Sequence, residues 1–444
     1  MSDADTSPPE SLRDAVASLW RTSIGAKENI LDSTAFKHLK RTCTDIYLPI
    51  EGSRLRKEPT TSARPDSLLS ALDNFFRWNG APWHGVCGPG PTEVALRLHR
   101  AFLCSQVSRT FLVPLDRLYL LDASAHHHQK LENVAFGPNE VTQLTSDKLI
   151  HRIPHFGLKR FGQRYEFPVQ ELGDRCWLIT TVQEDAGAIW KRNRHGVLLG
   201  LLNETMDSIG KIPVFRSALP SIVEEAVLIL LLSFIKRDSE LIWKPFGIPW
   251  TYSYTDDPFA DPRRAPDPSV LSWTLTGDPG REFEVSDLSN LIALADRDIQ
   301  ALRQRWKKLH SLQDQAETRK PILSPLAVHF FLKAFFEDGI DEVIALIGCI
   351  EALLLLQGER NRTKLMTRYQ NLVNDGEDYQ GLDGAYRLRR TYLHGLAPPD
   401  AKLTFHDLAR ARVSVATAMD AYLSLASQKA DLERTDLLRS LNGK

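Results

Sequence analysis

Apolar residues along this chain repeat with two different periods, and the change from one to the other divides it. In SLRDAVASLWRTSI (11–24) and SLLSALDNFFRW (67–78) they return at three- and four-residue steps, which predicts amphipathic helices. The polar stretch between them, rich in Arg, Pro and Ser, predicts a loop. WHGVCGPGPTE (83–93) is a Gly/Pro turn, and TEVALRLHRAFL (92–103) predicts a helix with Thr92 as its cap. From about 110 to 280 the apolar runs shorten and fill with β-branched and aromatic residues between Pro, Gly and Asp. TFLVPLDRLYLLD (110–122), YEFPVQEL (165–172), CWLITTV (176–182) and VLSWTLTG (270–277) predict strands. A helical run over 220–236 interrupts them. DDPFADPRRAPDP (256–268) carries four prolines, which rules out a central strand and predicts a long loop or linker.

After SDLSNL (286–291), with Ser286 as N-cap, the helical period returns and persists. It runs through DLSNLIALADRDIQALRQRWKKLHSL (287–312), LAVHFFLKAFF (326–336), DEVIALIGCIEALLLL (341–356), RTKLMTRYQNLV (362–373), GAYRLRRTYLHGL (384–396) and LARARVSVATAMDAYLSLAS (408–427). The expected fold class is α+β: a mixed region of helices and strands, then an all-α bundle. The expected domains are a mainly helical region at 1–110, a β-rich middle at 111–285 with its linker near 256–268, the bundle at 286–432, and a tail at 433–444.

Two runs are apolar enough to raise the question of a membrane. IVEEAVLILLLSFI (222–235) holds Glu224 and Glu225, and VIALIGCIEALLLL (343–356) holds Glu351. Both fall short of the ~18 apolar residues that a span needs, so both are expected to be buried helices. The 444 residues are too many for one core, and a formal net charge of -1 gives no global field toward nucleic acid. Any such contact must come from a local patch. The five cysteines (Cys43, Cys87, Cys104, Cys176, Cys349) show no C-x-x-C spacing, which fits free thiols in a reducing compartment. The acidic, polar MSDADTSPPE start does not read as a signal peptide, so the expected location is the cytoplasm.

One stretch concentrates chemistry. YRLRRTYLHG (386–395) sets Arg387, Arg389 and Arg390 just before a single His394, in an apolar frame of Leu388, Tyr392, Leu393 and Leu396. On an ideal helix Leu388, Tyr392 and Leu396 share one face. Arg387, Arg390 and His394 lie opposite, and Arg389 falls toward the apolar edge. These groups suit phosphodiester cleavage: histidine takes or gives a proton near neutral pH, and arginine grips phosphate oxygens bidentately. No metal or cofactor is needed. One histidine cannot be acid and base in the same step, so two copies of the chain meeting at a two-fold axis are expected. The plainer reading is a solvated Arg-rich helix face with an incidental histidine.

Arg360, Lys364 and Arg368 form an i, i+4, i+8 stripe that either tracks an RNA backbone or is simply solvated. Glu351 sits among leucines, and a carboxylate there demands a partner. A structural ion pair with one of the motif arginines is expected, a direct catalytic role less so. The triplet His126, His127 and His128, with His84 and Cys87, lacks the spacing of a zinc site, and no metal is expected. RQRWKKLH (303–310) fits an amphipathic helix better than a nucleic-acid platform.

CIEALLLL (349–356), RTKLMTRYQNLV (362–373) and AYRLRRTYLHG (385–395) follow one another in an order and spacing that resembles the ApeA-like branch of the HEPN superfamily. The resemblance covers about a third of the chain, from near 286 to near 430. It implies a dimeric helical bundle that cleaves or binds RNA, common in bacterial toxin and anti-phage systems. The family's signature Arg and His fall on Arg389 and His394. The small polar residue that usually follows the Arg is Arg390 here. The resemblance favours Arg389 as the essential arginine, whereas helical phase favours Arg390 or Arg387. The expected function is a metal-independent endoribonuclease leaving 2′,3′-cyclic phosphate ends, with Arg387, Arg390, Arg360, Lys364 and Arg368 assisting. The N-terminal region would then sense a phage-derived or small-molecule trigger. The alternatives are a non-catalytic RNA-binding or dimerisation module attached to a ligand-sensing domain, and a metal-dependent enzyme in the 84–180 region.

Overall fold

The computed structural model describes residues 7–22, 29–56, 67–84, 88–116, 118–122, 131, 133–153, 172–173, 175–189, 220–235, 246–248, 250–260, 267–270, 290–316, 322–359, 361–373, 376–393 and 405–443. The fold is mixed α+β, with its last third helical. Helices α1 (Glu10–Trp20), α2 (Thr34–Tyr47), α3 (Ser67–Trp78) and α4 (Pro91–Leu103) come first. They close on a core of Leu12, Phe36, Leu39, Phe75, Phe76, Leu98 and Phe102. The predicted loop after α1 contains α2. Its many charged and Thr residues hide the period, but Phe36, Leu39, Cys43 and Tyr47 lie along one buried face and Ser33 caps it by accepting from the Phe36 N–H. The predicted cap of α4 is also corrected: Gly90 is the N-cap, Pro91 opens the helix, and Thr92 lies inside it.

An antiparallel six-stranded sheet follows, in the order β3 (Asn133–Phe136), β4 (Asn139–Leu144), β5 (Arg175–Asp185), β1 (Gln106–Leu115), β6 (Trp250–Thr255) and β7 (Asp267–Val270). Successive β1 residues face opposite sides, so Leu112 packs with Trp177 and Tyr252 while Val113 joins the other core. A short helix α5 (Ser146–Arg152) stands between β4 and β5. YEFPVQEL lies outside the described residues except Leu172, and VLSWTLTG except Val270. The 256–268 stretch is not a free linker. Asp257 is fully buried and bonded bidentately to Arg54 at 2.8 Å and 2.8 Å, and Trp78 donates to the Ala260 carbonyl at 2.7 Å. Its last residues form β7, at the sheet edge where proline is tolerated.

Helix α6 (Ser221–Phe234) is buried almost all round, as its unbroken apolar run predicts. Ser286 lies outside the described residues, and the helix expected after it starts later. Asn290–Leu294 is strand β8, paired in parallel with β2 (Leu118–Asp122). Helix α7 (Asp296–Ala316) begins beyond it, with the Asp298 carboxylate accepting from the Ala295 N–H at 2.9 Å as in half of a capping box. Then come α8 (Pro325–Phe336), α9 (Gly339–Leu354), α10 (Arg362–Val373), α11 (Gly376–Leu393), α12 (Phe405–Gln428) and α13 (Arg434–Ser440). The expected tail at 433–444 therefore contains a helix, and its Leu437 and Leu438 are fully buried. No described helix is long and apolar enough to cross a membrane.

Residue 286 is not a boundary of packing. One core joins Val113, Leu115, Leu118 and Leu178 of the strands to α6 and to the helices after 296. The basic residues of 303–310 hold α7 in place: Arg305 pairs bidentately with Asp420 of α12, Lys308 donates to Ser424, and Arg303 donates to the Ala135 carbonyl of β3. A fragment beginning at 286 keeps β8 but lacks α6 and strands β1 to β7, and leaves that apolar surface bare. Such a fragment is expected to aggregate, and size-exclusion chromatography checks it. A stable, sharply eluting fragment would restore the boundary. Helices α11 and α12 approach very closely. A Cβ on Gly381 would lie 2.7 Å from the Arg410 Cβ and 2.8 Å from its carbonyl carbon, so only glycine fits there.

Candidate functional site

Helix α11 turns Leu382 and Ala385 into the core and carries the arginines in its C-terminal half. Arg389 is three-quarters covered. It donates to Glu351, on the last turn of α9, at 2.7 Å. A carboxylate among leucines thus has a guanidinium partner, and α9 is pinned to α11. Tyr386, one turn before Arg390, has its phenol pushed up from its ordinary value, first by burial and then by the Glu351 carboxylate, so it stays a neutral donor. Arg387 is exposed and bonds Asp383 at 2.5 Å; Arg362 of α10 bonds the same carboxylate and stands 5.9 Å over the Tyr386 ring. Arg390 is exposed and has no ion pair with another described residue.

The apolar frame expected around these arginines is corrected in part. Leu388 packs against the core, but Tyr392 and Leu393 are 50% and 56% exposed, among the most open large apolar side chains of the described residues. His394, the residue after Leu393, and Leu396 lie outside the described residues.

A cavity of about 890 Å³ opens at this end of the helices. Four arginines (Arg362, Arg389, Arg390 and Arg434) and two glutamates (Glu351 and Glu359) contribute to its wall, with Tyr386 and several leucines between them. Arg434, at the start of α13, donates to the Ala352 and Leu355 carbonyls at 2.7 Å and 2.9 Å, a cation closing the C-terminus of α9. Nothing in the local sequence marks Arg434, because its partners lie about 80 residues away. Tyr386 opens the YRLRRTYLHG stretch, but its part in the wall depends on where α9 ends.

The basic stripe is corrected. Arg368 is 1% exposed, donating to the Leu354 carbonyl at 2.7 Å, to Glu359 at 2.6 Å and to Asn442 at 2.8 Å, so it is a buried tie between helices and meets no solvent. Lys364 is half-exposed and pairs with Glu359 at 3.1 Å, and Arg360 lies outside the described residues. The Arg368 guanidinium holds the Glu359 carboxyl down at about 2. A depressed carboxyl contributes stability above its unfolded value that is lost as pH falls toward the folded one. Stability should therefore drop between about pH 4.5 and pH 2 by more in the parent chain than in Glu359→Gln, as chemical denaturation at stepped pH will read. Equal slopes would show that the pairing is not maintained in solution.

Among the described residues no group of three or more His, Cys, Asp or Glu is placed to hold a metal. His84 stands 3.3 Å from Asp73, while Cys87 and His126, His127 and His128 lie outside the described residues. Compared with known proteins, the chain matches no family model, no curated protein and no solved structure.

Proposed function

We propose that this chain is a metal-independent endoribonuclease of the HEPN type, working as a homodimer in a defence or toxin role, with its N-terminal two-thirds sensing a trigger or restraining the nuclease. The observation that carries the reading is the placement of Arg389. Glu351 fixes it in the wall of an arginine-lined cavity, and it stands five residues before His394 in the sequence. Transesterification of RNA uses a positioned, permanently charged guanidinium together with a proton-transferring group such as an imidazole. In that step a histidine takes the 2′-hydroxyl proton, the 2′-oxygen bonds to phosphorus, the bond to the 5′-oxygen breaks, and a second histidine protonates the leaving oxygen. The product ends are a 2′,3′-cyclic phosphate and a 5′-hydroxyl. The exposed Tyr392 and Leu393 give the α11 end an apolar surface through which a second copy would bring the second His394.

A second reading has its own support. Arg389 already has a carboxylate partner, as a purely structural arginine would. That favours a non-catalytic RNA-binding or dimerisation module. Incubating purified protein with total RNA in EDTA, followed by end-group analysis, decides between them. Cyclic phosphate ends that appear with the parent chain and vanish with His394→Ala establish the nuclease. RNA that stays intact once the trigger-bearing lysate is supplied sinks it.

A further inference from the structure

We propose that the N-terminal helices form a peptide-recognition groove, filled in this structure by the chain's own turn at 257–260, and that a partner protein carrying an acidic residue two places before an aromatic one docks there in its stead. The inference rests on the sensing role proposed above only for what such a displacement would do to the nuclease, and not for the groove itself.

The contacts of this turn are those of a bound motif. Arg54, beyond α2, grips the Asp257 carboxylate with two parallel bonds of 2.8 Å. The Phe259 ring is buried, with the rings of Phe75 of α3 and Phe102 of α4 at 6.0 Å and 5.1 Å and the Arg54 guanidinium 4.9 Å over its face. Two side chains of α3 read the backbone: Asn74 donates to the Phe259 carbonyl at 3.1 Å and Trp78 to that of Ala260 at 2.7 Å. A charge fork, an aromatic slot and carbonyl donors thus converge on successive residues of one short turn.

The turn carries its own shape. Asp257 accepts from the Phe259 N–H at 2.9 Å through its side chain and from the Ala260 N–H at 2.9 Å through its carbonyl, and Pro258 fixes the backbone between them. A turn closed on itself can be presented by another chain with little loss of freedom on binding. The groove also belongs to a separate core. The N-terminal helices pack around one apolar cluster, and of its buried residues only Ile189 and Phe259 come from beyond α4. The strands and the C-terminal helices share a different one. When the turn leaves, the Ile189 N–H can still donate to the Arg54 carbonyl and the Ala186 N–H to that of Ser105, so the helices stay attached while the groove opens. A tethered segment competes at an effective concentration on the order of millimolar, which sets how tightly a partner must bind to win.

The test uses the full chain carrying Asp257→Ala with Phe259→Ala, which removes both anchors, and follows a fluorescein-labelled TDDPFA peptide (255–260) by anisotropy. The peptide should bind this variant at least about tenfold more tightly than the parent, and the variant's Tm should rise with peptide concentration. Peptides carrying Asp257→Asn or Phe259→Ala should bind about tenfold more weakly or worse. Equal binding of all three peptides, or none to a folded variant, overturns the groove. If the variant does not fold even with peptide, amide hydrogen exchange of the parent decides. Excess peptide should speed exchange at Asp257 and Phe259, both buried while the turn is seated, and unchanged rates overturn the proposal. A parent chain whose mass by light scattering falls when peptide is added has a second copy's turn in the groove, which overturns the separate partner. None of these readouts involves RNA. A groove that binds in a chain that cuts no RNA, or a nuclease without a groove, therefore separates this inference from the ribonuclease reading.

Discussion

His394→Ala is expected to slow RNA cleavage by about 10²–10⁴-fold, the usual loss when a general acid or base is removed, and a symmetric dimer loses both copies at once. Far-UV circular dichroism and Tm should stay near the parent values. Arg389→Ala should fall as steeply, but for two reasons: the phosphorane loses a cation, and Glu351 is left without its guanidinium. Its Tm should fall as well, which His394→Ala should not show. Arg389→Lys keeps the charge but not the planar fork and should recover activity only in part. Arg390→Ala should weaken substrate binding and leave Tm alone, since Arg390 is exposed and carries no ion pair among the described residues. Measuring rates and KM for the four variants on one RNA in EDTA separates the two arginines. If Arg390→Ala abolishes turnover while Arg389→Ala lowers only Tm, Arg390 is the essential arginine and Arg389 a structural tie.

Arg54→Ala is expected to destabilise the chain by about 3–5 kcal/mol, the range for removing one partner of a buried ion pair. Arg54 and Asp257 are 2% and 0% exposed, and Arg54 also donates to the Ala186 carbonyl at 3.1 Å and to that of Gly187 at 3.2 Å. Burial pulls the guanidinium down to about 10, which still leaves it charged at neutral pH. Without it the Asp257 carboxylate still accepts from the Phe259 N–H but loses the Arg54 guanidinium in a fully buried place. The double variant Arg54→Met with Asp257→Leu should lose less than either single change, because no orphan charge remains. Urea denaturation of the three variants reads this directly. A loss below about 1 kcal/mol for Arg54→Ala would mean that water reaches the pair.

How much of this was legible in the sequence depended on whether the relevant partners were local. The all-round apolar runs at 222–235 and 343–356 announced α6 and α9, because no other environment suits them. Glu351 announced its need for a cation by standing among leucines, though which arginine answers it is set by the crossing of α9 and α11. In α2, Phe36, Leu39, Cys43 and Tyr47 held a readable period, masked by the Lys, Arg and Thr between them. The apolar residues of Asn290–Leu294 run straight into those of α7 and prolong its helical period, and only pairing with β2 makes the segment a strand. Arg368 looked like one member of a solvated stripe, since its sequence spacing says nothing of Glu359, Leu354 and Asn442 closing over it. Arg434 gave no signal at all, because its acceptors are backbone carbonyls of a distant helix end.

The close approach at Gly381 makes α11 a lever. The helix is pinned at that crossing and extends twelve residues further to Leu393, roughly 18 Å at the helical rise. A methyl group at 381 must push the helices apart, and a tilt of about 5° at the crossing carries the far end by about 1.5 Å. A displacement of that size is enough to spoil a catalytic geometry. Gly381→Ala should therefore impair RNA cleavage from a position remote from the proposed reacting groups, and the Arg389–Glu351 contact lies in the part of the helix that swings.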